Sequence, residues 1–195
     1  MTMQDLISYN QKTNTKIAGK LLSAILSFIM LIGIDQFTKY LIDKKMALYD
    51  SVEVFPGIFE IHYIRNAGAA WGMFQNKQIL FYICTVIVLI LGIMIYIRCL
   101  TLNQYKDFRI LLVLILSGAV GNFIDRVRFQ YVIDFFYFKL IDFPVFNVAD
   151  CYVTVGFILL LILILFKYKE DDFENIFSFN NKKISSTTSS DNRSE

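Results

Sequence analysis

The chain has 195 residues, 56% of them hydrophobic and 16% aromatic, with a net charge of +2 and a mean hydropathy of +0.52. Soluble domains run nearer about 45–50% apolar, and a chain this short has too little interior to hide the excess, so lipid is its natural solvent. The small net charge argues against a nucleic-acid partner; three scattered cysteines and one histidine cannot supply an ordinary zinc ligand set, and no metal or other cofactor is expected.

Lys12, Lys16 and Lys20 precede an apolar run that ends at Asp35-Gln36 without a small-residue cleavage site. The run therefore reads as a retained first helix over about 17–34 rather than a removed signal peptide. Three further apolar segments, about 79–97, 110–124 and 149–166, approach the roughly 20 residues needed to cross a hydrocarbon core. The alternative for the last two, buried helices of a soluble bundle, lacks the amphipathic periodicity such helices carry. The expected fold is thus membrane all-α, with four transmembrane helices.

Lys12, Lys16 and Lys20 before the first helix, Arg98, Lys106 and Arg109 between the second and third, and Lys167 and Lys169 after the fourth put both termini in the cytoplasm by the positive-inside rule. The first outer loop, about 41–77, is long enough to fold. Residues 51–55 and 58–64 alternate and are rich in β-branched types, with Pro56-Gly57 as a turn between them, so a small extracytoplasmic β-sheet is expected in this loop. Residues 1–169 form one membrane domain, and the polar stretch 170–195 lacks the apolar content to fold, so it reads as a disordered cytoplasmic tail.

Polar residues gather at one end of each span: Asp35 to Lys39, ending helix 1; Asn66 to Gly72; Gly118 to Arg126; and Phe146 to Asp150. On the topology above all lie on the outer side, where ionisable groups at membrane depth suggest function. Plainer readings exist. Asp35 and Lys39 have the i,i+4 spacing of an ion pair. Asn122 and Asp125 share a helix face, and Arg126 is positioned to neutralise Asp125. Asn147 suits an N-cap, with Asp150 at the third helical position. Gly68 suits a turn, Trp71 an interfacial anchor, and His62 a structural place in a strand.

Chemically, two carboxylates held close cannot both ionise, and a pair sharing one proton can activate water against a peptide carbonyl. Asp125, Asp134 and Asp150 are the outer candidates. Asp134, among apolar neighbours in YVIDFF, pairs with Asp150 in the preferred reading, because Asp125 adjoins Arg126. There is no G-x-S-x-G elbow for a serine nucleophile, no lysine near Ser117 in sequence, and no evident base for Cys151. A non-catalytic scaffold, or a small transporter using the polar cluster to hold an ion, is the other class of function these residues allow.

DQFTK, RNAGAAWG, GAVGNFIDR, YVIDFF and PVFNVAD, in this order over about 31–166, resemble the lipoprotein signal peptidase (signal peptidase II) family. The resemblance implies an aspartic endopeptidase with four transmembrane helices in the bacterial cytoplasmic membrane. It implies that the substrates are prolipoproteins cut just before a diacylglyceryl-modified cysteine. Membrane lipids are the other expected partners, and a monomer is expected. By resemblance the catalytic pair is Asp134 and Asp150, while Asp35, Lys39, Asn66, Gly68, Asn122, Asp125, Arg126 and Asn147 shape the site or hold substrate. Ser117 departs from the family's usual glycine, and the N-terminal extension and polar tail lie outside the pattern.

Overall fold

A computed structural model describes residues 2–68, 77–100, 102–169, 172 and 176. Four helices among them are long and apolar enough to cross a membrane: α1 (Met3–Lys45), α2 (Gln78–Leu100), α3 (Lys106–Phe129) and α4 (Val148–Phe166). Their side chains face outward in large numbers, with Leu22, Ile29, Ile83, Ile90, Phe157 and Leu165 among the exposed apolar residues. Such a surface is stable only against lipid.

α1 begins at a capping box between Thr2 and Asp5 and continues well past residue 34. The expectation that Asp35 to Lys39 ends the first helix is therefore corrected. These residues contain no helix breaker; Asp35 and Lys39 lie on one face and turn into the protein, and the helix stops only after Lys44 and Lys45. α3 is the central helix, packed on α1, α2 and α4, whereas α1 and α2 barely touch. Its contact with α4 is close: a Cβ added at Gly118 would stand 2.4 Å from the Ala149 carbonyl oxygen. Small residues let helix backbones approach in this way in lipid. Ser117, where a glycine was expected by resemblance, is buried and returns its hydroxyl to the Val113 carbonyl at 2.6 Å, so the contact is kept.

The strands expected in the first loop are present as β1 (Ser51–Phe55) and β2 (Phe59–Asn66), with Gly57 at positive φ in the turn. A third strand, β3 (Val132–Tyr137), joins them in an antiparallel sheet of order β1-β2-β3. The sheet is thus not built from the first loop alone: β3 comes from the α3–α4 connection. Residue pairing places Ile64 opposite Asp134 and Asn66 opposite Val132, which puts Asn66 and Asp134 on one face. After β3 the chain makes a 3-10 turn at Lys139–Ile141 and returns so that Phe146 bridges to Phe136. That return delivers Asn147 next to β3.

Tyr63 pins the sheet to the end of α1. Its hydroxyl donates to Asp43 at 2.6 Å and accepts from Arg65 Nε at 3.0 Å. Burial, with the Asp43 bond adding to it, pushes the Tyr63 hydroxyl up to about 12. At the far end of the bundle Cys99, Tyr105, Phe108, Leu112 and Ile176 form an apolar cluster. Of the segment expected as a disordered tail, Asp172 accepts from the Tyr105 hydroxyl at 2.9 Å and Ile176 is buried. The remainder of that tail, and Trp71 with the rest of 69–76, lie outside the described residues.

Candidate active site

The polar residues form two storeys at one end of the bundle. The lower is an ion cluster. Lys39, buried on α1, donates to Asp35 at 3.0 Å, to Asp125 at 3.0 Å and to the Asn122 side-chain oxygen at 2.9 Å. All three ammonium protons are thereby used. Asp125 also accepts from Gln36 at 2.9 Å and from the backbone N–H of Ile133 at 3.3 Å. Asp35 accepts the backbone N–H of Ala149 at 2.9 Å. Lys39, not Arg126, is the cation paired with Asp125, which corrects the expectation drawn from their adjacency in sequence. Arg126 lies one position further round α3 and points away, donating to the Gly68 carbonyl at 3.2 Å with its guanidinium 4.3 Å over the Phe81 ring.

The upper storey holds the carboxylates of Asp134 and Asp150. Asp134 is buried on β3 and accepts from Asn66 Nδ2 at 2.9 Å and Asn147 Nδ2 at 2.6 Å. Asp150 accepts from Asn122 Nδ2 at 2.7 Å and from the Asn147 backbone N–H at 3.0 Å. Asn147 is the N-cap of α4 and Asp150 its third helical residue, in the reciprocal capping box expected from sequence. The same asparagine thus caps the helix and touches both acids. Its second amide proton goes to Asn122 at 3.1 Å, so the donor is fully used. Asn66 is held by accepting the Gly68 N–H at 2.9 Å, an Asx turn. Burial, and next the charge of Asp150, push the Asp134 carboxyl up to about 7, against the lowering effect of the two asparagine donors.

Both acids line a cavity of about 510 Å³ whose wall also includes Asn66, Gly68, Asn122 and Arg126, with an apolar side formed by Phe143 to Phe146 and Val155. Every site residue expected from sequence is in this region, but not in one role. Asp35, Lys39 and Asp125 lie beneath the cavity wall. Asn147 sits behind the two acids. Arg126 Nε is buried with no partner among the described residues, a donor available to something in the cavity. Two residues outside the set expected from sequence also lie in this region. Gln36 donates to Asp35, Asp125 and the Gly121 carbonyl, and its place beside Asp35 in DQFTK was the available signal. Thr154 lines the cavity one turn beyond Asp150, and its i,i+4 spacing was the signal.

Four long apolar helices with a carboxylate-lined cavity at one end fit a membrane protein with a polar site at the end of its bundle. A family model described as signal peptidase (SPase) II matches residues 27–166, and the chain belongs to that family. It is 43% identical over 153 residues to the lipoprotein signal peptidase of Streptococcus pyogenes serotype M1, covering 77% of this chain and 96% of that one. It is 42% identical, with the same coverage, to that of serotype M5, strain Manfredo. Two solved structures are similar, both described as a bacterial membrane enzyme determined by the in meso method. The 2.3 Å structure has a TM-score of 0.65 and 35% identity over 83% of this chain and 94% of that chain. The 1.9 Å structure has a TM-score of 0.63 and 38% identity over 75% and 94%.

Proposed function

We propose that this signal peptidase removes the signal peptides of prolipoproteins, cutting just before the diacylglyceryl-modified cysteine, with Asp134 and Asp150 as its catalytic pair. The observation that carries the reading is the double contact of Asn147, which holds one carboxylate by its side chain and the other by its backbone at the wall of a single cavity. The pair carries one proton, resting on Asp134, whose burial favours the neutral acid. Asp150 takes a proton from water as the water attacks the scissile carbonyl and Asp134 gives its proton to the carbonyl oxygen; as the C–N bond breaks, Asp150 passes its proton to the leaving nitrogen and the diol hydroxyl returns a proton to Asp134, leaving the new carboxyl group and the pair as it began.

Asn66, Gly68 and Arg126 hold the substrate main chain, with the free Arg126 Nε as one donor. Asn122 and Asn147 orient the acids. Asp35, Lys39 and Asp125 fix the elements that carry them. The four helices span the bacterial cytoplasmic membrane as a single domain, both termini lie in the cytoplasm, and the sheet stands on the outer side, where exposed Val52, Phe55, Leu140 and Ile141 meet the lipid surface. The enzyme acts as a monomer. Asp134→Asn and Asp150→Asn test the pair, assayed on a diacylated prolipoprotein in detergent. Each is expected to lose at least about a hundredfold in rate; undiminished cleavage by either removes that residue from the pair.

A further inference from the structure

A second cavity, of about 650 Å³, lies between α1, α2 and α3 at the opposite end of the bundle. Its mouth carries Lys20, Lys106 and Arg109; its walls are mostly apolar, from Ala24, Met30 and Leu31 on α1 to Ile110, Val113 and Leu114 on α3. The distance along α3 from Arg109 to Asp125 is about 24 Å at 1.5 Å per residue, so this groove is no part of the carboxylate site.

Arg109 is 6% exposed, yet no carboxylate pairs with it among the described residues. Its Nη1 donates to the carbonyls of Cys99 at 2.5 Å and Leu102 at 2.6 Å, both neutral acceptors. Lys20 Nζ donates to the Leu100 carbonyl at 2.9 Å. The acids on adjoining segments are engaged elsewhere: Asp107 with Lys167, and Asp172 with Tyr105 and Gln104. No acidic side chain lines the groove among the described residues. A buried guanidinium without a counter-ion is costly and calls for an anion.

The groove's length supplies the rest. From Lys20 to Leu31 along α1 is about 16 Å, close to half of a hydrocarbon core about 30 Å thick. It is one leaflet deep, cationic at the headgroup level and apolar below. We propose that the groove binds an anionic glycerophospholipid, its phosphate on Arg109, Lys106 and Lys20 and one acyl chain filling the space where α1 and α2 barely touch. The lipid completes the packing of α1 against the other helices. The inference depends on the helices spanning a membrane and not on the roles of Asp134 and Asp150.

The test is native mass spectrometry and thermal melting of the full-length protein, purified in detergent and stripped of lipid, titrated with dioleoylphosphatidylglycerol or dioleoylphosphatidylcholine. One phosphatidylglycerol per chain should be retained and raise the melting midpoint, while phosphatidylcholine does neither. Lys106→Gln, at an exposed position, should weaken retention about fivefold, the effect of one basic residue on an anionic lipid. Ala24→Trp, which fills the groove, should abolish it while prolipoprotein cleavage in detergent continues. Arg109→Gln should abolish it too; if that variant misfolds, the other two decide. Equal retention of both lipids, equal stabilisation by inorganic phosphate alone, or unchanged retention in K106Q and A24W would overturn the proposal.

Discussion

The Asp35 carboxylate on α1 accepts the backbone N–H of Ala149 at 2.9 Å, the residue immediately before Asp150. Asp125 on α3 does the same for Ile133, the residue immediately before Asp134, at 3.3 Å. Both anchoring acids are held by Lys39. One buried ammonium therefore fixes, through two backbone contacts, the strand and the helix from which the upper carboxylates project.

Lys39→Met should accordingly damage both stability and turnover. Removing one partner of a buried ion cluster leaves uncompensated charge, which costs about 3–5 kcal/mol. The expected outcome is a lower melting midpoint in detergent. Adding Asp35→Asn and Asp125→Asn to Lys39→Met should recover part of that loss, since no unpaired charge then remains. A triple variant no more stable than K39M would show that the ions are not what holds these elements.

Asn147 separates capping from chemistry. Asn147→Ser keeps a side-chain oxygen for the N-cap of α4, and serine caps about as well as asparagine. It cannot reach Asp134 as the longer amide does. The melting midpoint should stay near that of the parent while kcat falls roughly a hundredfold, the scale of a small misplacement in a catalytic centre. Equal activity of N147S and the parent would remove the bridge from the mechanism.

The pH profile follows from Asp134. Its folded-state carboxyl is raised from an ordinary value of 3.8 to about 7. The native protein therefore holds a proton that the unfolded chain gives up. Asp134 contributes stability fully below about pH 4, and this contribution is lost as pH rises through about 7. Melting midpoints measured from pH 4 to 8 should fall more steeply in the parent than in D134N. Cleavage should fall on the alkaline side near pH 7, where the shared proton leaves. Asn66→Ala removes a donor that favours the carboxylate, so its alkaline limb should move to higher pH; a limb that moves to lower pH contradicts this assignment.

Glycines on α3 give a packing test. A Cβ at Gly121 would lie 2.5 Å from Asp35 Oδ2, and one at Gly118 would lie 2.4 Å from the Ala149 carbonyl oxygen. Gly118→Ala and Gly121→Ala should each lower stability by about 1–3 kcal/mol through overpacking, despite a better helix propensity. Gly33 on α1 has nothing within 4 Å of its added Cβ. Gly33→Ala should be neutral or gain up to about 1 kcal/mol from propensity. Thermal melts of the three variants in one detergent make the comparison.

Much of the architecture was legible because lipid imposes a simple pattern. Long apolar runs and the capping signature of Asn147 and Asp150 are local features, and both took the expected form. So did β1 and β2, whose alternation and Pro56-Gly57 turn lie within one loop. Helix ends were less legible. Asp35 and Lys39 looked like the close of a span, because polarity alone does not tell a helix terminus from a polar face turned into a bundle.

Sequence by itself determined the membrane character of this protein, its four apolar helices and the identity of the acids in its polar motifs, since hydropathy and residue chemistry are properties of short segments. Only the tertiary structure decided that Val132 to Tyr137 is a strand, that Lys39 rather than Arg126 neutralises Asp125, and that Asn147 joins Asp134 to Asp150. Each of these depends on atoms brought within about 3 Å from distant parts of the chain, and hydrogen-bond partners at that range are chosen by packing and strand register, not by neighbours in sequence.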